Sequence, residues 1–333
     1  MIVNTQPLLT VVIPTHQRPQ YLPRAVESAL QAAPDGDVEV IVVPNGGDET
    51  WKESLALLLD DSRIIVSPVE KGHANVARNH GLRLARGKYI RFLDDDDYFF
   101  TENAIRQIAL IEETEVDICG GSLAVMDAND RILNIMKIPF HEDFVASLLS
   151  SQGRTSPQFY VYRRESIQGL FWDESVNIGQ DTHWTHMMCR KKDWSWVCID
   201  DVVSSWVQHS PKQISKKYKI SEHLELQEKY KWETIQILIQ QDRLNVGRRK
   251  NAAECMWFLI HAGFYFSPFF WKSVMGKTQN LFPDTYPNIS IFEGKYRKLV
   301  SPLFLELIMM PKRWLNHFYR QYLIYSGRRT NWE

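Results

Sequence analysis

The stretch KGHANVARNHGLRLARGKYIRFLDDDDYF, residues 71–99, decides the fold class of this chain. Its first half predicts a helix over Ala74–Ala85, and the largely apolar run Tyr89–Leu93 predicts a buried strand. Four consecutive aspartates, Asp94–Asp97, follow that strand directly. A helix that leads into a buried strand with charged residues behind it is typical of a parallel β-α-β unit.

The residues before this stretch repeat the same alternation. Apolar, β-branched runs predict strands at Leu8–Ile13, Val38–Val43 and Arg63–Val66, and Tyr21–Ala33 places its apolar residues on one helical face. The pattern predicts an α/β fold with a Rossmann-like, mostly parallel sheet covered by helices on both faces. Ligands bind beyond the carboxyl ends of such strands. The loops expected there are Pro14–Arg18, Pro44–Asp48, Ser67–Ala74 and Asp94–Asp97.

After Gly120 the pattern changes to short strand-like pieces and one helix near Asp181–Arg190. The strand-like pieces are Ile132–Ile138, Gln158–Tyr162, Trp196–Ile199 and Val202–His209. From about Ser221 the chain reads as helical, beginning with an amphipathic run to Leu244. We therefore predict one domain over residues 1–215 and a helical C-terminal region over residues 216–333.

Composition excludes some classes of function. The 333 residues carry 39 Lys+Arg against 40 Asp+Glu, so no basic excess indicates a nucleic-acid partner. No signal-peptide pattern and no uninterrupted membrane span is seen, which favours a reducing, cytoplasmic setting. The cysteines form no CxxC pair and are expected to be small buried residues: Cys119, Cys189, Cys198 and Cys255.

The acidic run Asp94–Asp97 suggests a metal site. Four adjacent carboxylates repel one another unless a cation or protons neutralise them, and Mg²⁺ or Mn²⁺ takes carboxylates together with substrate phosphates. Asp94 and Asp96 are two residues apart, so they can point the same way at a strand end. The alternative is a solvated acidic turn that caps a helix starting near Thr101.

The chain resembles the family 2 glycosyltransferases of GT-A fold, through motifs that occur in the family's order over roughly residues 8–210. These are VVIPTHQRPQYL (Val11–Leu22) with AVESAL (Ala25–Leu30), EVIVVPNGG (Glu39–Gly47), residues 71–99, and FWDESVNIGQDTHWTHMM (Phe171–Met188). The resemblance implies an inverting transferase that moves a monosaccharide from a nucleotide-diphosphate sugar to an acceptor hydroxyl. It also implies a divalent Mn²⁺ or Mg²⁺ ion, a glycan or lipid-linked glycan acceptor, and a role in bacterial O-antigen or capsule synthesis.

The resemblance also implies residue roles. Thr15 matches the threonine that lines the nucleotide pocket, His73 borders the base, and Arg78 lies in the ARN stretch. Asp181 matches the general base, and His209 falls where relatives place a histidine near the metal. The expected nucleotide-sugar-binding residues are Thr15, Arg18, Asn45, His73, Arg78 and Asp94, and the expected metal ligands are Asp94, Asp96 and His209.

Simpler structural roles compete with some of these assignments. Asp181 could be a helix N-cap, because Asp is favoured there. His209 could be structural, and Trp172 and Trp184 could be core residues instead of platforms for a sugar ring. The chain also departs from the family after the second strand, where Pro44-Asn45 replaces the usual Asp-Asp or Asp-Asn. Asn45 would then have to hydrogen-bond the nucleobase. Its amide can both donate and accept, which is compatible with the edge of a uracil or thymine.

Other functions remain open at this stage. A sugar-phosphate nucleotidyltransferase would want a Gly-rich loop after the first strand, and a hydrolase would need two carboxylates flanking one bond. A catalytically inactive nucleotide-sugar-binding pseudo-transferase is the non-enzyme alternative. In the C-terminal region, aromatic and basic residues mix in PKRWLNHFYRQYLIYSGRR, residues 311–329. That mixture suits peripheral contact with the inner face of the cytoplasmic membrane, and the alternative is a helical cap with buried aromatic residues.

Overall fold

The computed structural model describes residues 6–139, 141–209, 219–287 and 300–326. The chain divides into two compact units. The sheet unit comprises Met1–Phe144 and Arg154–Ser210, and the helical unit comprises Val145–Gly153 and Pro211–Glu333. The predicted domain boundary after residue 215 lies outside the described residues and stays a prediction.

The first half of the sheet is parallel. Strands β1 (Leu9–Thr15), β2 (Val38–Pro44), β3 (Ile64–Val66) and β4 (Tyr89–Phe92) lie in the order β3-β2-β1-β4. Strands β1, β2 and β4 are buried along their whole length, as their apolar composition predicts. Val12 pairs with Phe92, so three residues further on Thr15 and Asp95 reach the same edge of the sheet.

The second half of the sheet is mixed. Strand β7 (Tyr160–Arg163) runs antiparallel to β4 and joins the two halves. Strand β5 (Ile118–Asp127) pairs antiparallel with β7 and with β6 (Ile132–Met136), and parallel with β8 (Trp196–Gln208).

Helices cover both faces of the sheet, as predicted. The sheet unit contains α1 (Leu22–Leu30), α2 (Trp51–Ser54), α3 (Ala74–Leu84), α4 (Thr101–Thr114) and α6 (Gln180–Lys191). Val11 and Ile13 point into an apolar core shared with residues of α1 and α4. Val12 points the opposite way, toward α3, where a Cβ added to Gly81 would lie 2.4 Å from its Cγ1.

Strand β5 was not predicted, because Gly120 and Gly121 interrupt its apolar pattern. A Cβ at Gly120 would lie 2.9 Å from Ile138, and one at Gly121 would lie 2.6 Å from Val203. Packing against the stiff Val203 side chain therefore excludes a larger residue at Gly121, whereas at Gly120 the terminal methyl group of Ile138 would have to shift. Strand β8 is continuous where two pieces were predicted, and its register against β5 shifts around Ser122. Pro14 lies within β1, but beyond the last residue paired with β4, where no ladder hydrogen bond is lost.

The helical unit contains long helices, which confirms a helical C-terminal region. Its elements are most of α5 (Phe144–Leu149), then α7 (Ile220–Gln240), α8 (Val246–Gly263), α9 (Pro268–Leu281) and α10 (Pro302–Tyr325). Lys231 of α7 donates to the carbonyl oxygens of Leu148 and Ser150 at the end of α5. Among the helices that the structure describes, none has the length and apolarity needed to span a bilayer.

Three of the four cysteines are buried, as expected, and the fourth is not. All four are free thiols, and Cys119, Cys189 and Cys255 are buried, whereas Cys198 is partly exposed.

Candidate functional site

The loops that follow β1, β2 and β3 touch at one edge of the sheet. His16 Nδ1 lies 2.7 Å from the carbonyl oxygen of Asn45, and the Asn45 amide donates to the carbonyl oxygen of Thr15 at 2.8 Å. The backbone of Gly46 packs directly on that of Gly72. Three of the four predicted loops therefore form one surface, because parallel strands end at the same edge.

The acidic run is the fourth loop, and it is mostly buried. Asp95 is 3% exposed and Asp96 is 8% exposed, whereas the Asp94 side chain is 41% exposed. Thr15 donates its hydroxyl to Asp95 at 2.7 Å. Arg18 reaches both buried carboxylates, at 3.0 Å from Asp95 and 2.6 Å from Asp96.

Neighbouring groups decide how these carboxyls titrate. Burial raises the pKa of Asp95 to about 7, although the positive charge of Arg18 opposes that shift. Burial would raise the pKa of Asp96 too, but the hydrogen bond from His209 at 2.8 Å and the charge of Arg18 hold it below its ordinary value. Of these two buried carboxyls, Asp96 is therefore the one that ionises more readily. The ring of His209 packs against Tyr21, with centroids 4.3 Å apart.

Asp97 fixes the acidic run to the rest of the sheet unit. It accepts hydrogen bonds from the Gln158 side chain at 2.6 Å and from the backbone N–H of Val207 at 2.7 Å. Burial raises its pKa well above the ordinary value, and the charges of Asp96 and Asp94 add to that effect. The run does not cap α4, whose N-cap is Phe100, so the capping alternative is wrong.

The acidic run also offers oxygen atoms for a metal ion. One carboxylate oxygen each from Asp94, Asp96 and Asp97 lie within 4.8 Å of one another. Several carboxylates at this spacing match the ligand preference of Mg²⁺ or Mn²⁺. The Nε2 atom of His209 lies 2.8 Å from an Asp96 carboxylate oxygen, so an imidazole nitrogen is also close enough to be a candidate metal ligand.

Arg78 joins the acidic run to the start of α6. Its side chain is buried and donates to Asp94 at 2.8 Å and to Gln180 at 3.0 Å. The guanidinium also lies over the ring of Trp172, 4.6 Å from the centroid. Burial disfavours the charge of Arg78, but Asp94 and Asp181 outweigh burial and raise its pKa.

Asp181 follows Gln180 in the first turn of α6, but it is not the helix cap. The N-cap is Gly179, whose φ of 63° is favourable for glycine, and no side chain caps this end. Burial raises the pKa of Asp181 to about 6, with Arg78 lowering it and Asp94 raising it. The helix N-terminus alone would favour the anion, so the raised pKa reflects enclosure by protein.

Helix α3 holds the segment Trp172–Asn177 that leads into α6. Asn79 accepts from the N–H of Trp172 at 2.7 Å and donates to its carbonyl oxygen at 2.9 Å. Asn75 donates to the carbonyl oxygen of Asp173 at 2.7 Å. The His73 side chain caps α3 through the N–H of Asn75 and lies 3.2 Å from Asn177.

The tryptophan that begins this segment, Trp172, and Trp184 of α6 both belong to the core. Trp172 and Trp184 are 2% and 0% exposed, and their rings stack 4.7 Å apart at an interplanar angle of 6°. Their buried faces are filled by each other and by Phe92. Stacking on a sugar is therefore not their role.

The structure sorts the predicted site residues into groups. Thr15, Arg18, Asp96 and His209 meet around the buried carboxylates, and Arg78 links Asp94 to the turn that carries Asp181. His73 and Asn45 lie instead at loop ends, where they contact backbone groups and, for His73, the side chain of Asn177. Their base-binding roles stay predictions.

Sequence reasoning missed several residues of this network. Asp95, Asp97, Asn75 and Gln180 make the connecting hydrogen bonds. The four-aspartate run drew attention to Asp95 and Asp97, but only the fold shows which carboxylates face inward. Nothing in the local pattern distinguishes Gln180 from any polar residue at a helix start.

The chain matches known proteins through its first half. Residues 10–171 match the family model described as Glycosyl transferase family 2, which favours sugar transfer over nucleotidyl transfer or glycoside hydrolysis. That range covers β1 to β7 and the acidic run, and it ends before Asp181 and His209.

Several relatives carry glycosyltransferase names. The chain is 25% identical over 187 residues to the uncharacterized glycosyltransferase EpsJ of Bacillus subtilis, covering 53% of this chain and 54% of EpsJ. It is 24% identical over 217 residues to an uncharacterized glycosyltransferase of Haemophilus influenzae, covering 64% and 84%. It is 32% identical over 126 residues to the glycosyltransferase GlyG of Streptococcus pneumoniae, covering 37% and 41%. The chain thus spans about half the length of EpsJ.

The fold also resembles a solved structure. S. aureus TarS 1-349 in complex with UDP-GlcNAc superposes with a TM-score of 0.56 at 16% identity, covering 82% of this chain and 89% of the TarS 1-349 chain. At that identity the likeness establishes a shared fold.

Proposed function

Since this chain belongs to glycosyl transferase family 2 and is a glycosyltransferase, we propose that it moves a monosaccharide from a nucleotide-diphosphate sugar to an acceptor hydroxyl with inversion. The observation that carries the proposal is the bridge made by Arg78, which joins Asp94 to the helix start bearing Asp181. This bridge supports a candidate base beside a carboxylate cluster that could hold a divalent ion.

In this reaction Asp181 is the general base. Its carboxylate accepts the proton of the acceptor hydroxyl while that oxygen bonds to the anomeric carbon. The bond from the anomeric carbon to the diphosphate oxygen breaks, and the nucleoside diphosphate leaves with the electron pair. One in-line displacement inverts the anomeric carbon. A carboxyl with a pKa of about 6 suits a base that works near neutral pH.

The carboxylates fit a divalent ion, Mn²⁺ or Mg²⁺. Asp94, Asp96 and Asp97 each offer one oxygen within 4.8 Å of the others, and the positive charges of Arg18 and Arg78 pair with two of them, Asp96 and Asp94. Asp94 and Asp96 would hold the ion with His209. When bound, it supplies stabilisation of the negative charge that grows on the leaving diphosphate.

The donor and acceptor follow from the same assignment. Thr15, Arg18, Asn45 and His73 come from the loops at the strand ends, where a nucleotide would lie. The UDP-GlcNAc complex of TarS, which shares the fold, supports a nucleotide-sugar donor. Resemblance to O-antigen and capsule transferases supports a glycan or lipid-linked glycan acceptor in bacterial surface polysaccharide synthesis.

Donor hydrolysis and donor binding, measured over a panel of nucleotide-sugars, test the proposal. We expect Asp181→Asn to lower turnover by about 10²–10⁴-fold while donor binding is kept. Asp96→Ala or chelation should lower both. Asp60→Asn is the matched control, because Asp60 is an exposed carboxylate outside the site loops.

Two results would contradict these assignments. Wild-type turnover in Asp181→Asn would show that Asp181 is not the general base. Full activity in excess chelator would show that the reaction does not need a metal ion. Thermal unfolding of each variant checks that the loss of activity is not loss of the fold.

A further inference from the structure

Helix α10 exposes its apolar face. Seven large apolar residues of this helix are 50% exposed or more: Phe304, Leu307, Ile308, Leu315, Phe318, Tyr319 and Tyr322. At 100° per residue they fall within about one third of the helix circumference, together with Pro311. The face runs for five turns, about 30 Å at 1.5 Å per residue. Contiguous exposed apolar patches of this size mark interaction sites.

The opposite side of α10 attaches it to the helical unit. Glu306 is 1% exposed and bonds to His261 and Arg313. The Trp314 ring N–H donates to the carbonyl oxygen of Tyr265 at 2.8 Å, and the rings of His317 and Phe266 pack edge to face. These contacts fix which side of the helix faces outward.

The charges of α10 favour an anionic partner. Within Pro302–Tyr325 the sequence has Lys312, Arg313 and Arg320 against a single acid, Glu306. Arg313 forms a salt bridge with the buried Glu306 in the attachment, so the net positive charge of the helix comes from Lys312 and Arg320. Lys312 borders the apolar face in the helical projection. An apolar, aromatic-rich face with basic residues beside it is the composition of helices that lie in a membrane interface.

We propose that the outward face of α10, defined by these seven residues, binds the surface of an anionic lipid bilayer. The choice of a membrane rests on the proposed function, in which a lipid-linked glycan is an acceptor. Bound lengthwise, α10 inserts its apolar side chains among the acyl chains, and Lys312 meets the lipid phosphates. The helix lies on the membrane and does not cross it.

Vesicle flotation of the full chain tests this surface. We expect the wild-type chain to float with vesicles of phosphatidylcholine and phosphatidylglycerol, and to float less with phosphatidylcholine alone or at high salt. Leu315→Ser with Phe318→Ser should lower the lipid partition coefficient by at least about tenfold, and Lys312→Gln by roughly fivefold. The matched control is Asn316→Ser with Gln321→Ser, two exposed polar positions of the same helix, which should stay within about twofold.

Donor hydrolysis measured on the same variants distinguishes failure of membrane binding from failure of the proposed function. Donor hydrolysis by the same variants should stay at the wild-type rate. If the wild-type chain hydrolyses donor but does not float with vesicles, the membrane-binding proposal alone is wrong. If it floats but hydrolyses no donor, the proposed function alone is wrong. A dimer that becomes a monomer in the Leu315→Ser, Phe318→Ser variant, without lipid binding, would show that a second copy covers this face.

Discussion

At the scale of single residues, the site depends on a cation buried among acids. Arg78 contacts Asp94, and its charge acts on Asp181. A buried charge is retained only when it is paired and hydrogen-bonded. Here Asp94, Gln180 and Asn75 accept hydrogen bonds from the two terminal nitrogens of the guanidinium, whereas its Nε has no hydrogen-bond partner among the described residues. Burial raises the pKa of Asp181, the candidate base, and the charge of Arg78 opposes that rise. One side chain therefore acts on both the acidic run and the candidate base.

The coupling predicts a pH dependence. Asp181 acts as a base only when ionised, and its pKa is raised from 3.8 to about 6. We expect kcat/KM to be level above that pKa and to fall about tenfold per pH unit below it. Arg78→Met removes the charge that lowers this pKa, so the midpoint of the profile should move to higher pH.

A variant on the same helix supplies the control for this profile. Arg83 is exposed at the end of α3, and Arg83→Met should leave the midpoint near that of the wild-type chain. An unchanged midpoint in Arg78→Met would show that another group limits the rate at low pH.

At the scale of elements, α3 is the part that positions the base. Its residues Asn75 and Asn79 bond the backbone of the segment before α6. A side-chain amide that both donates to and accepts from one residue acts like a strand neighbour, and it fixes the entry into α6. The ARN stretch therefore has a structural function beside any contact with the nucleotide.

This arrangement predicts the cost of losing one amide. Asn79→Ala leaves the N–H and carbonyl of Trp172 unpaired at a buried position, and each such group costs about 1–3 kcal/mol. We expect the free energy of unfolding, measured by urea denaturation, to fall by about 2–4 kcal/mol. Asn129→Ala, at an exposed turn, should change it by less than about 0.5 kcal/mol. Equal effects of the two substitutions would contradict the positioning role of Asn79.

The elements also show where sequence reasoning succeeds. Strands β1, β2 and β4 were predicted to within about two residues, because both of their faces are buried and their composition is largely apolar, with Thr10, Glu39 and Arg91 as interruptions. Strand β5 was missed because Gly120 and Gly121 interrupt its apolar pattern, and the reason for Gly121 is the side chain of Val203, which comes from a distant part of the chain. Local pattern carries no record of such tertiary contacts.

The same limit applies to the site. Topology alone placed the loops after β1, β2 and β3 together, and the structure shows them in contact. The partners of Asp97 lie 61 and 110 residues away along the chain, so the sequence could not separate this structural carboxylate from Asp94 and Asp96. Only the fold shows that Asp97 holds the loop.

At the scale of the whole molecule, the candidate chemistry lies within one unit. Every candidate site residue belongs to the sheet unit, although Asp181 and His209 follow the range matched by the family model. The helical unit carries the outward face of α10. Transfer and attachment to a surface are thus assigned to different units, and each can be tested without changing the other.

This division predicts how metal affects unfolding. An ion that binds the folded carboxylates and not the unfolded chain stabilises by about 2.7 kcal/mol at a concentration 100 times its Kd. Because Asp94, Asp96 and Asp97 all lie in the sheet unit, Mn²⁺ should raise the Tm of the transition that belongs to this unit. For a unit of roughly 200 residues we expect a rise of about 5–10 °C by calorimetry. Asp96→Asn should abolish the rise and Asp60→Asn should keep it, and an equal rise in both variants would place the ion elsewhere.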